Sequence, residues 1–158
     1  MYQVFYFYKM IYKVNFATKW SDFDPNRHMR HTAYNEYAAE VRIRYFSNQN
    51  FSIEEFTKHN IGPILFEEYT SFRKEIHLGE NISVNIKLSG ISKNGERWKL
   101  VHEVFNEADQ LSAVIKVYGA WIDLTKRKLT TLPSKAQQLF KTLEKTTDFQ
   151  DIIINPNK

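Results

Sequence analysis

Between Trp20 and Tyr34 the chain reads Trp-Ser-Asp-Phe-Asp-Pro-Asn-Arg-His-Met-Arg-His-Thr-Ala-Tyr. Two carboxylates, Asp22 and Asp24, and two imidazoles, His28 and His31, share this short, turn-prone stretch. Ionisable side chains on a loop that enters a helix suit acid/base or nucleophilic chemistry on a polarised carbonyl. The helix start supplies unpaired N–H donors and the positive end of its dipole. Composition alone leaves three readings open. Asp24-Pro25-Asn26 makes a good type I turn; all four ionisable groups are metal-ligand types; and a carboxylate near an imidazole can move protons. The spacing matches no metal motif such as a helical His-x-x-x-His, so no metal is expected. The chain has no cysteine, which excludes disulfides, thiolate metal sites and a cysteine nucleophile.

The elements around this stretch must position it. Residues 11–19, rich in aromatic and β-branched side chains, predict a strand before the loop. Behind the loop, Tyr34, Tyr37, Ala38, Val41 and Tyr45 recur at helical spacing and predict a helix from about Thr32, as N-cap, to Ser47. Ser52-Ile53-Glu54-Glu55 opens a second, short helix to about His59. After Gly62-Pro63 the period changes to two. Residues 64–76 predict a long strand, and Ile82, Val84, Ile86 and Leu88 alternate with polar residues in the next. Asn94-Gly95 signals a hairpin into strands 98–105 and 111–124. Pro133 opens a last amphipathic helix with Ala136, Leu139, Phe140 and Leu143 on one face. The tail, residues 146–158, is expected to pack poorly.

One long helix beside an antiparallel sheet is an α+β arrangement. Ile43 and Phe46 fall outside the main apolar stripe of the helix, which fits a sheet that wraps it. At 158 residues the chain suits a single domain with one sizeable core. A net charge of +4 suits an anionic ligand but is too mild to imply nucleic acid. Lys126-Arg127-Lys128 reads as a solvated strand-to-helix turn. Residues 1–10 are apolar without a basic flank or cleavage site and read as an N-terminal extension or extra strand. That segment is too short for a membrane helix, and no membrane association is expected. A cytoplasmic location is expected.

The pattern Asp-x-Asp-x-Asn-x-His-Met-x-His-x-x-Tyr between a strand and a long helix, with four strands after it, resembles the hotdog-fold acyl-CoA thioesterases of the 4-hydroxybenzoyl-CoA thioesterase type. The resemblance covers residues 11–125 and implies a hotdog domain there, followed by a C-terminal helix and tail at 126–158. It implies a long central helix wrapped by a curved antiparallel sheet. It also implies a homodimer or homotetramer with active sites at the subunit interface. The substrate implied is an acyl-CoA or acyl-carrier-protein thioester, hydrolysed to free acid and thiol. No cofactor is implied, coenzyme A being part of the substrate.

By the same resemblance Asp24 is the catalytic carboxylate, nucleophile or general base, and His31 occupies the position of a catalytic histidine found in one branch. Helix N–H groups near His31 and Thr32 would bind the thioester oxygen. A thioester suits this machinery, since its carbonyl is weakly resonance-stabilised and thiolate leaves readily. Asn26 could bind an acyl or pantetheine amide, His28 anchor the loop beside substrate, and Tyr34 line the acyl tunnel. Arg27 and Arg73, with Arg30, Lys74 and His77, could meet coenzyme A phosphates. Asp22 reads as structural.

Two positions depart from the pattern. Many relatives carry glycine where Arg27 stands, and a helix glutamate frequent in several branches falls at Ala39, with Glu40 beside it. These departures leave open a hotdog module that binds a thioester without cleaving it. An enoyl-CoA hydratase is a further alternative, although Asp24-Pro25-Asn26-Arg27-His28 is one residue shorter than the hydratase loop.

Overall fold

Helix α1 (His31–Asn48) is long because Ala33, Tyr34, Tyr37, Ala38, Val41, Tyr45 and Phe46 all find cover. Residues this apolar on more than one side need packing from more than one direction. The computed structural model, which describes residues 11–154, supplies it. A seven-stranded sheet curls around α1, and two short helices close the open end: α2 (Ile53–Lys58) and α3 (Ser134–Thr142). Phe46 sits where these meet, with Phe51, Phe56, Trp121 and Phe140 around its ring at centroid distances of 5.5–6.4 Å. Burying a phenylalanine of this kind stabilises the fold by about 1.5–3 kcal/mol. The sequence reading put Phe46 outside the main stripe; a wrapped helix is what lets it be buried.

Across the sheet the order is β2 (Ile61–Phe72), β6 (Leu111–Asp123), β5 (Arg97–Phe105), then β3 (Ile82–Asn85) and β4 (Lys87–Ser92) end to end. β1 (Lys13–Phe16) pairs with β3, and β7 (Lys145–Ile152) with β4. The expected single strand over 82–88 is therefore interrupted at Ile86, whose N–H donates to Tyr12 instead (3.2 Å). β2 begins earlier than expected, through Gly62 and Pro63. Among the described strands it is an edge, where a missing N–H can face away from the ladder. It also ends earlier, at Phe72, because the N–H groups of Arg73 and Lys74 both turn in to Ser112 O.

Two expectations are corrected. The tail was expected to pack poorly, yet residues 145–152 form β7, parallel to β4, with Phe149 against the core. Helix α1 is not capped by Thr32. Arg30 is the N-cap and Thr32 lies inside the first turn, because Arg30 N–H is held by Asp22 O (2.8 Å) and fixes where the helix starts. The Asn94-Gly95 turn forms, with Gly95 at φ +77° and its N–H on Ser92 O. The proposed strand over residues 1–10 and the end of the tail lie outside the described residues. Among the described residues no helix is long and apolar enough to cross a membrane.

Candidate active site

The Asp24 loop is a tight hairpin. Phe23 and Met29 bridge each other, Asp24 N–H donates to His28 O (2.9 Å), and Arg27 N–H donates to Asp24 O (2.9 Å). Residues 24–27 thus form a hydrogen-bonded β-turn with Pro25 at its second position, where proline's fixed φ is already correct. Arg27 follows at φ +65°, in the left-handed region. Three-residue hairpins place such a residue after a type I turn, and glycine is preferred there. The glycine-to-arginine departure therefore falls on a backbone site that glycine would occupy without strain.

The hairpin is held at its base. Asp22 is buried, with 1% of its surface exposed. Its Oδ2 accepts from Lys19 N–H (2.8 Å) and from the Tyr37 hydroxyl (2.5 Å). Burial and the bond to Asp22 both raise the pKa of the Tyr37 phenol, so it stays a donor. Tyr37 thus ties the loop to the second turn of α1. On its other side the hairpin pairs with the β2–β3 connection: Met29 N–H donates to Ile76 O, and Leu78 N–H to Arg27 O.

Asp24 itself is half-buried. Its Oδ1 accepts from His28 N–H (3.1 Å), and Oδ2 takes no hydrogen bond among the described residues. One oxygen positions the carboxylate; the other is available to attack or to take a proton. Two residues past the Phe23–Met29 bridge, α1 begins with no side-chain cap and no acidic residue in its first turn. Its first N–H groups, those of His31 and Thr32, have no protein acceptor among the described residues. Uncapped donors at the positive end of a long helix suit a developing oxyanion.

The other expected site residues are distributed unevenly. His31, Thr32, Asn26 and Arg27 are exposed around this end of α1, and Arg73 is exposed just past the end of β2. His28 is half-buried and turns toward Glu75. Tyr34 is a core residue, its ring edge-on to Phe72 at 5.2 Å. Burial, then Glu75 and Glu80, push its phenol up to about 12. Asp22, Asp24, His28 and His31 are not drawn together as a ligand set. Among the described residues the group that is drawn together is His28, Glu75 and His77.

Further along α1 lies a cavity of about 450 Å³, bounded by Ala39, Ile43 and Phe46 of the helix, Phe56 of α2, and Pro63 and Leu65 of β2. Its walls are overwhelmingly apolar. Ala39 stands on this wall with no carboxylate to offer. Glu40 lines a different groove and is paired with Arg44 (2.7 Å). It therefore does not stand in for a carboxylate at the Ala39 position.

Sequence reading missed three interactions. Asn35 spans from α1 to β2, donating to Glu68 (2.8 Å) and accepting from Thr70 (2.8 Å). Glu75 joins the loop through His28. Fully buried His102 donates from Nδ1 to Asn85 O (2.8 Å), so its Nε2 accepts from Arg42 (3.2 Å). Burial, with the Arg42 charge, drives its imidazole down to about 3. For His102 the available signal was a lone polar residue between Leu100 and Val104 on the inward alternation of β5; Asn35 carried none.

A helix wrapped by one curved sheet, with an acidic hairpin at the helix start, defines a hotdog domain. Residues 18–140 match the model of the thioesterase-like superfamily, more than half of the chain, and the protein belongs to that family. The family is one of thioesterase-like proteins, and the fold agrees with it. No curated protein sequence matches it. Solved structures do. A Staphylococcus aureus protein in complex with CoA superposes with a TM-score of 0.76 at 19% identity, over 87% of this chain and 89% of that one. A 1,4-dihydroxy-2-naphthoyl-CoA thioesterase from Synechocystis gives 0.74 at 18%, over 84% and 96%. A probable thioesterase from Escherichia coli gives 0.69 at 20%, over 84% and 98%. At these identities the likeness concerns the fold.

Proposed function

We propose that the protein hydrolyses acyl-CoA thioesters, with Asp24 as nucleophile or general base and the first N–H groups of α1 as the oxyanion site. One observation carries this reading: a carboxylate with one anchored and one free oxygen, fixed on a hairpin just before an uncapped helix start. The free oxygen attacks the thioester carbon, or takes a proton from the water that does. Charge developing on the carbonyl oxygen is met by the N–H groups of His31 and Thr32, and the C–S bond breaks to release thiolate; on the nucleophilic route water then hydrolyses the acyl–Asp24 anhydride to free acid and restores the carboxylate. His31, at the helix start, protonates the leaving sulfur or orients the substrate. Asn26 borders the path of the acyl-pantetheine arm, Tyr34 backs that path from the core, and Arg27 and Arg73 attract the coenzyme A phosphates. The apolar cavity along α1 takes the acyl group.

Within one chain the loop and the cavity lie at opposite ends of β2. Phe72 meets Tyr34 near the loop, while Ile61, Pro63 and Leu65 border the cavity. β2 pairs only with β6 among the described strands, leaving its outer edge unpaired. Two copies joined antiparallel along that edge, about a twofold axis, set each loop beside the partner's cavity. The homodimer is thus part of the proposed site.

The test is a panel of acyl-CoAs with detection of free thiol. Wild type should turn over at least one class, and Asp24→Asn should lose roughly 10²–10⁴-fold in rate. Full activity in Asp24→Asn would remove Asp24 from the mechanism. Tight acyl-CoA binding with no thiol release by wild type would instead make the protein a binding module.

A further inference from the structure

We propose that His28, Glu75 and His77 form a binding site for one divalent transition-metal ion of the zinc type. The three residues come from two segments far apart in sequence, the catalytic hairpin and the β2–β3 connection. His28 and His77 face each other across an isolated antiparallel bridge. The flanking bonds, Met29 N–H to Ile76 O (2.9 Å) and Leu78 N–H to Arg27 O (3.0 Å), make this a non-hydrogen-bonded pair. In such pairs the Cα atoms are closest and both side chains leave the same face. Glu75 lies two residues before His77 with buried Ile76 between them, so Glu75 and His77 both face outward.

The side chains use this placement. His28 Nε2 lies 3.3 Å from a Glu75 carboxylate oxygen. The two imidazole rings meet edge-on, 5.4 Å between centroids at 64°. One donor atom from each residue falls within 4.8 Å of the other two. Ligand atoms about 2.1 Å from a shared ion stand roughly 3–3.5 Å apart, so the three donors need to close in by only about 1.5 Å from a spacing within 4.8 Å. The backbone is already braced: Glu80 accepts from His77 N–H, closing the turn that Gly79 makes at φ +91°.

Two imidazoles and a carboxylate select zinc, nickel, cobalt or copper over magnesium or calcium, which prefer all-oxygen sets. Three protein ligands on an exposed face leave a position for water. The ion would tie the hairpin to the β2–β3 connection. It would act one residue's backbone away from Asp24, since His28 N–H is the donor to Asp24 Oδ1. This is a different use of His28 from the loop anchor expected at first, and it takes no part in thioester chemistry.

Calorimetric titration of untagged protein with zinc chloride, and cobalt absorption spectra on the same samples, test the site. One ion per chain should bind, with a rise in melting temperature on zinc addition. Glu75→Gln and His77→Ala should each weaken binding by roughly tenfold or more, at least what an outer-shell partner is worth. His59→Ala removes a comparable exposed His–Glu pair, Nε2 to carboxylate 3.8 Å, and should change nothing. Circular dichroism of each variant without metal checks the fold, and Glu75→Gln removes a ligand with the least change of shape. Absence of binding to wild type overturns the proposal, as does undiminished binding to folded Glu75→Gln and His77→Ala. No arm of the test needs acyl-CoA turnover, so it stands or fails apart from the thioesterase reading.

Discussion

Arg27 was the residue in the loop with no evident reason to be arginine, and its backbone supplies a measurable consequence. It sits at φ +65°, where a side chain costs about 1–2 kcal/mol that glycine does not. Arg27→Gly is therefore expected to keep the hairpin and raise stability by up to about 1 kcal/mol, after glycine's greater flexibility in the unfolded chain is subtracted. Urea unfolding reads this directly; a loss of stability would mean that the guanidinium holds the loop. His102 gives a second residue-scale prediction. Its imidazole is held near 3 in the fold, against an ordinary value of 6.5. The unfolded chain therefore binds the extra proton first as pH falls. The stability linked to His102 is complete above about pH 6.5 and declines below it by up to about 1.4 kcal/mol per pH unit, until roughly pH 3. In His102→Gln the urea midpoint should fall less steeply over that range than in wild type. The turn at Asp24 was legible from Asp-Pro-Asn, whereas a catalytic part for it came only from the family resemblance. Asp22 was legible only as structural, because its bond to Tyr37 depends on how α1 lies against the loop.

At the scale of elements, long patterned segments were read correctly and unpatterned ones were not. α1, α2, β5, β6 and α3 emerge close to their observed bounds because a buried face imposes a period on side chains. β7 imposes none. Lys-Thr-Thr-Asp-Phe-Gln-Asp-Ile carries one core contact, Phe149, and its place in the sheet comes from backbone bonds that leave no mark on residue type. The break at Ile86 was hidden for the opposite reason: the alternation runs straight through it. β7 depends on a close approach at Gly90, where an added Cβ would meet Gln150 O at 2.9 Å. Since that contact is with backbone, Gly90→Ala should loosen β7. Hydrogen exchange should quicken over residues 145–152 and stay unchanged in β2 and β6. Unchanged exchange in β7 would show that the strand accommodates a methyl group.

For the molecule as a whole, β2 is the element through which a single chain gives an incomplete account of itself. Leu65, Phe66, Tyr69 and Phe72 are 45–66% exposed along an edge that ordinarily invites another strand. The sequence reading expected a pairing of subunits from family likeness alone. On the proposed mechanism the pairing has a purpose: the Asp24 loop and the apolar cavity lie at opposite ends of this edge, so a twofold partner would bring each loop to the other chain's cavity. Inheritance supplies a test of that exchange. A chain with Asp24→Asn keeps its cavity, and a chain with Ile43→Trp, which fills the cavity wall, keeps its acid. Alone, each should be inactive. Unfolded together and refolded as an equal mixture, half of the dimers would pair unlike chains, and each of those would hold one intact site. Roughly a quarter of wild-type activity should return. If mixing restores nothing while the dimers form, each chain works with its own loop and cavity. If it does restore activity, two null alleles of this gene would be able to rescue one another in a single cell.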